Sequence, residues 1–174
     1  MAAKQSAVRP NLFSQPNTFR RSTPVTIQND GDIVRGLGFV ALYAGYLEEQ
    51  IDNLLFMLQP IEPFPEEAQR WQISRKLDQA KKLISQLSFG YRDALLNDLN
   101  ASKRLFNWRN EVIHGRIYGA FDRADTLRSG RLHVPERAID AAELYELANS
   151  LDDARSSLYR PMIFQIPGAL ASKT

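Results

Sequence analysis

There is no cysteine in these 174 residues, which excludes a disulfide framework, a thiolate zinc site and a cysteine nucleophile, and suits a reducing compartment. Histidine is nearly as scarce. Only His114 and His133 occur, too few for a histidine-rich metal site, so no metal and no cofactor are expected. A glycine-rich phosphate loop is also missing, which leaves little support for a nucleotide-sensing role. The longest apolar run, LGFVALYAGYL from Leu37 to Leu47, is too short to span a bilayer and reads as a buried helix segment. No secretory signal pattern stands out, no membrane partner is expected, and the expected compartment is the cytoplasm.

What is present fits one globular domain with a real core: 44% of residues are hydrophobic and 24% charged. The net charge of +2 is unevenly spread. Residues 1–29 hold Lys4, Arg9, Arg20 and Arg21 and no acid, a local +4, so the remainder is slightly acidic. Within that remainder, residues 102–137 gather eight basic side chains against four acids. Positive charge collected in this way favours phosphate-bearing partners; scattered surface arginines would give the same count.

Residues 1–30 are rich in Pro, Ser, Asn, Gln and Thr and read as a flexible basic arm. Their arginines also resemble a transit peptide, although Pro10, Pro16 and Pro24 break up any amphipathic helix there. From Asp32 the pattern changes. Ile33, Leu37, Val40, Ala44, Leu47, Ile51, Leu54 and Leu58 recur at steps of three and four, the signature of a long amphipathic helix that Pro60, Pro63 and Pro65 end. Gly38, Ala41 and Gly45 form a second stripe of small residues that would let another helix approach closely. A second helix is predicted over about 66–87 from Ile73, Leu77, Ala80, Ile84 and Leu87, its outer face carrying Arg75, Lys76, Lys81 and Lys82. Tyr91 to about His114 gives a third helix with Gly115 as its stop.

Beyond Gly115 the strand-like runs RIYGAF and RLHV, separated by a polar loop ending in Ser129-Gly130, predict a hairpin. Asp140-Ala-Ala-Glu143 is a capping box, followed by a fourth helix through Leu144, Leu147, Leu151, Ala154 and Leu158 that stops before Pro161. The tail from 161 to 174 is apolar enough to lie against the helices. The expected fold is all-α: an up-and-down four-helix bundle over residues 31–160 with a short hairpin-like insertion between helices 3 and 4.

The stretch that raises a functional question is RNEVIHG, Arg109 through Gly115. At 100° per residue, Lys103, Asn107, Asn110 and His114 form one polar stripe at the end of the third helix. Leu105, Phe106, Val112 and Ile113 face elsewhere, and they are the neighbours of Arg109, so this arginine projects from the apolar side. It must find an acidic partner, extend its stem toward an edge, or sit at a subunit seam. Glu48, Glu49 and Asp52 on the first helix are the natural partners. On the purely architectural reading, Arg109 makes that salt bridge and His114 closes the helix, where the dipole favours a cation.

A second reading comes from resemblance. RNEVIHG at the end of a third bundle helix resembles the Arg-x4–6-His signature of the HEPN (higher eukaryotes and prokaryotes nucleotide-binding) superfamily, in its form with Asn directly after Arg. The stretches YLEEQIDNLL (Tyr46 to Leu55) and ISRKLDQAKKLI (Ile73 to Ile84) are also similar to the mannitol operon repressor family. The resemblance implies a homodimer whose paired motifs form a metal-independent ribonuclease site, with RNA as substrate and an antitoxin or defence-system component as a further partner. It makes Arg109 and His114 the catalytic pair and Asn110 their orienting group. Many toxins of the superfamily carry a tyrosine two residues after the histidine; here that position is Arg116 and the nearest tyrosine is Tyr118. Arg116, Tyr118, Lys103 and Asn107 are the expected substrate contacts, and His133 could join them as a second proton-transfer group if the hairpin folds over the motif. The alternative is a non-catalytic regulatory or protein-interaction module in which Arg109 and His114 only fix the dimer interface.

Overall fold

The computed structural model describes residues 27–120, 123–130 and 135–172. His133 and most of the basic arm lie outside the described residues. The protein is mostly helical, with a small antiparallel sheet. Helix α1 (Ile33–Met57) starts at Asp32, whose carboxylate accepts from the backbone N–H groups of Val34 and Arg35, satisfying two of the donors that a helix start leaves orphaned. Its predicted stripe from Val40 to Leu58 is fully buried. A 3-10 helix (Glu66–Arg70) leads into α2 (Ile73–Ile84), and α3 (Arg92–His114) follows. Strands β1 (Arg116–Ala120), β2 (Arg123–Arg128) and β3 (Arg137–Ala138) precede α4 (Ala141–Phe164) and a short α5 (Ile166–Ala171). Helix α4 packs along α1 and also touches α3, while α2 contacts both α1 and α3.

Several expectations need correction. The second helix does not begin at 66: Trp71 and Gln72 are both extended and separate the 3-10 turn from α2. Lys76 is not on an outer face but 1% exposed. The strand that pairs with β1 is Arg123–Arg128, the stretch expected as a polar loop, with Ile117 opposite Leu127. Leu127 is its buried anchor among the described side chains, and the alternation that marks a strand was too sparse to see. Helix α4 does not stop at Pro161 but continues to Phe164. A proline inside a helix costs about 3 kcal/mol; burying Met162 and Ile166 beyond it returns roughly 1.5–3 kcal/mol each. Residues 27–30, expected as arm, are fixed to α4: Ile27 is buried, its N–H donates to Asn149 Oδ1 at 3.0 Å, and Tyr145 Oη donates to Asp30.

The small residues of α1 also play different parts from those expected. A Cβ on Gly38 or Gly45 would meet nothing within 4 Å among the described residues, so no helix packs on that stripe there. The close helix approach is made at Gly36, where a Cβ would lie 2.9 Å from Leu144 Cβ and 3.2 Å from the Tyr145 ring. Gly115 is likewise required for room and not for backbone freedom. Its φ of −78° is open to any residue, but a Cβ would stand 2.4 Å from Leu127 Cδ1 and 2.7 Å from the Glu111 carbonyl oxygen.

Glycine substitutions therefore have opposite expected signs, readable by thermal unfolding followed by circular dichroism. Gly38→Ala removes a helix-interior glycine without a clash and should stabilise by about 0.5–1 kcal/mol. Gly115→Ala should destabilise by about 1–3 kcal/mol through overpacking. Equal melting temperatures for the two variants would contradict the packing described.

Candidate functional site

All the residues of the predicted polar stripe line one cleft. It has a volume of about 550 Å³ and lies between the carboxy end of α3, which contributes Lys103, Phe106, Asn107, Arg109, Asn110 and His114, and the stretch from Trp71 to Leu77, with Glu48 reaching in from α1. Phe106, expected to face elsewhere, is buried and forms part of the lining. Asn107, Asn110 and His114 also line a second cleft of about 470 Å³, whose other wall is Trp108, Glu111, Ser129 and Gly130. The stripe is thus a ridge with a hollow on either side. Arg116 and Tyr118 line neither cleft; both are exposed on β1, where the chain has already turned away from the helix axis.

The expected pairing of Arg109 with α1 does not form. Lys76 takes those acids instead, its Nζ lying 2.9 Å from Asp52 Oδ2 and 3.1 Å from Glu48 Oε1. Arg109 makes no ion pair among the described residues. One guanidinium N–H donates to the Asn110 side-chain oxygen at 2.9 Å, and the Nε is buried with no acceptor among the described residues. A buried donor without a partner costs about 1–3 kcal/mol, so stability alone gives no reason for arginine at this position. Burial works against the Lys76 ammonium, but its hydrogen bonds to Asp52 and Glu48 outweigh that and hold its pKa above the ordinary lysine value. Burial pushes the Asp52 carboxyl up.

The positive field around the motif is smaller than the sequence count implies. Lys103 is bonded to both oxygens of Asp78 at 3.1 Å, Arg128 pairs with Glu136 at 3.3 Å, and Arg137 is committed to Glu111 and Glu143. Arg104, Arg109 and Arg116 are left without an ion pair among the described residues. Among those residues no group of three or more His, Asp or Glu could hold a metal ion, and no helix is long and apolar enough to cross a membrane.

A network that sequence reasoning missed fixes the motif helix in place. Arg137 Nε donates to Glu111 Oε1 at 2.7 Å, its two terminal nitrogens reach Glu143 at 2.6 and 2.7 Å, and Trp108 Nε1 donates to Glu143 at 2.9 Å. Glu111 is the third residue of RNEVIHG, so the motif's acid ties α3 through β3 to the start of α4. The capping box is consequently half made: Glu143 N donates to Asp140 Oδ1 at 2.8 Å, while the Glu143 carboxylate serves Arg137 and Trp108. Sequence spacing offered no signal for this, because Arg137 comes from another element 26 residues along the chain from Glu111.

The hydrogen bonds from Arg137 hold the Glu143 carboxyl below the usual glutamate value of 4.5, against the opposing effect of burial. A carboxyl depressed by folding contributes stability above its unfolded pKa and loses it as the pH falls through the folded one. The melting-temperature gap between wild type and Glu143→Gln should therefore be full above pH 4.5 and close as the pH is lowered below it. A gap that stays constant from pH 7 to pH 3 would show that the ionised network does not hold the helix end.

No family model, curated protein or solved structure matches this chain, so the functional reading rests on the cleft itself.

Proposed function

We propose that the protein is a metal-independent RNA endonuclease of the HEPN type, acting as a homodimer and serving as a toxin or a phage-defence component. In this reading the four long helices are the up-and-down bundle of that superfamily. The observation that carries it is Arg109: a guanidinium without a carboxylate partner among the described residues, beside Asn110 and His114 in one cleft. A free planar fork next to an imidazole is suited to a phosphodiester. The amino end of α2, whose cap residue Gln72 makes no side-chain capping bond, lies across the cleft and adds its positive dipole end.

RNA supplies its own nucleophile. The 2′-hydroxyl loses its proton to a general base, its oxygen bonds to phosphorus, the bond to the 5′-oxygen breaks, and a general acid protonates that leaving oxygen; the products are a 2′,3′-cyclic phosphate and a 5′-hydroxyl. Arg109 neutralises the charge that gathers on phosphorus oxygens. An imidazole ordinarily titrates near neutrality and can take either proton role. Each chain offers one histidine at the motif, and a two-fold axis bringing His114 to its mate would supply one acid and one base. Asn110, bonded to Arg109, orients the guanidinium. Lys103 and Asn107 line the same cleft, and Arg116 and Tyr118 could meet only a strand that extends past it.

Cleavage of a mixed RNA pool in excess EDTA, with the end chemistry read out, tests this. Wild type should leave cyclic-phosphate ends. His114→Ala should lose about 10²–10⁴-fold in rate and Arg109→Ala about 10²–10³-fold, with the His114 variant within about 0.5 kcal/mol of wild-type stability because the side chain is exposed. No cleavage by a folded wild-type dimer would sink the reading in favour of a regulatory or interaction module. A fully active monomer would overturn the shared site and leave Glu48, the one carboxylate lining the cleft among the described residues, to take the proton.

A further inference from the structure

The wall facing the motif helix begins at the two extended residues between the 3-10 turn and α2. Trp71 and Gln72 are extended there, with φ and ψ of −64° and 149°, then −59° and 143°. Two extended residues take the indole out of helical register, and its neighbours brace it in place. The Phe64 ring meets it edge to face, with centroids 6.2 Å apart and planes at 88°. Phe64 is itself buried and held in the same way by Phe56 at 5.1 Å. The Arg75 guanidinium lies 3.7 Å from the indole centroid. For all this bracing, Trp71 remains half-buried and lines the cleft that Arg109, Asn110 and His114 also line.

Trp71 packs against the core with one part of its surface and lines the cleft with another. The indole is rigid and still open, and an aromatic surface fixed beforehand loses little conformational entropy when a flat ligand covers it. The Arg75 guanidinium already covers one face of the indole, which leaves the other face for a ligand, and two further polar neighbours are uncommitted. Gln72 and Ser74 line the same cleft, and among the described residues their side chains make no hydrogen bond and Arg75 makes no ion pair. An amide carries both a donor and an acceptor, the complement of a base edge. The cleft volume of about 550 Å³ falls in the range that holds a small ligand.

We infer that Trp71, with Gln72 and Ser74, forms a nucleobase subsite that stacks one unpaired base of a single-stranded RNA whose phosphate lies against Arg109 and His114. The phosphate position rests on the nuclease reading; the stacking does not. Bases paired inside a duplex cannot reach the indole, so the substrate is a single strand or a loop. Every base has a flat face, so stacking alone tolerates sequence, and any preference comes from Gln72.

Binding and cleavage measured separately on the full chain test this. Trp108→Phe leaves Trp71 as the sole indole of the two in the chain, and His114→Ala in the same protein prevents turnover. A short single-stranded oligoribonucleotide should quench its fluorescence, whereas a matched ribose-phosphate oligomer without bases should not. Trp71→Leu in an otherwise wild-type chain should raise KM about 5- to 150-fold, the equivalent of the ~1–3 kcal/mol that a stacked base contributes, with kcat changed by less than about threefold. Trp71→Phe, which keeps a ring against Phe64, should recover most of that loss, which separates lost stacking from a disturbed fold. Equal quenching by the baseless oligomer, or His114-dependent cleavage with an unchanged KM in Trp71→Leu, would overturn the subsite and leave the nuclease standing. Base-dependent quenching without cleavage by the wild type would uphold the subsite and remove the nuclease.

Discussion

Lys76 decides the character of the cleft. Its ammonium is withdrawn from water, at 1% exposure, and held between Asp52 and Glu48. Removing an ammonium from solvent is expensive, and it is tolerated only where close opposite charges compensate. Two carboxylates one helical turn apart on α1 do so, and in doing so they staple α2 to α1. The consequence reaches α3. These were the acids nearest in pattern to Arg109, and once Lys76 has taken them the guanidinium has no counter-charge among the described residues. An arginine that would otherwise be an internal strut becomes the free cation of a cleft.

The motif helix is held at its end by a second set of charges. Glu111 points away from the cleft shared by Arg109 and His114 and into the Arg137 network, where Glu143 and Trp108 complete the contacts. One carboxylate cannot serve a capping box and this network at once, and Glu143 gives its side chain to Arg137. The lock holds α3 just where it ends. His114 is the last residue of the helix, Gly115 admits Leu127 from the sheet, and Gly130 passes close to the His114 carbonyl oxygen. The histidine is exposed while the backbone at the helix end is packed against Leu127 and Gly130.

Much of this was legible in the sequence, and the failures have physical causes. The stripe from Val40 to Leu58, the span of α3 and the shared face of Lys103, Asn107, Asn110 and His114 follow from helical periodicity alone. Lys76 was misplaced because its residue type outweighed its position: it stands three residues after Ile73 and four before Ala80, inside the buried stripe. Two acids at Glu48 and Asp52, spaced one turn apart beside an apolar stripe on the neighbouring helix, were the signal that a buried cation was needed. Gly38 and Gly45 looked like a packing seam because small residues permit close approach, yet permission does not select a side, and the helices meet at Gly36. The Arg137 network and the pairing of β1 with β2 depend on contacts between distant parts of the chain, which periodicity cannot reveal.

The cleft joins two kinds of wall, and their combination limits what can occupy it. One wall is the polar end of a helix, with a guanidinium and an imidazole; the other is the interruption between the 3-10 turn and α2, which turns an indole and an amide out of helical order. An inorganic anion would use the first wall and ignore the second, while an apolar ligand would do the reverse. A hydrophobic peptide would leave the Arg109 guanidinium desolvated without a partner, at a cost of several kcal/mol. A ligand that joins a negative charge to a flat ring would meet both walls together, and in the proposed reading that ligand is a nucleotide unit of a single strand.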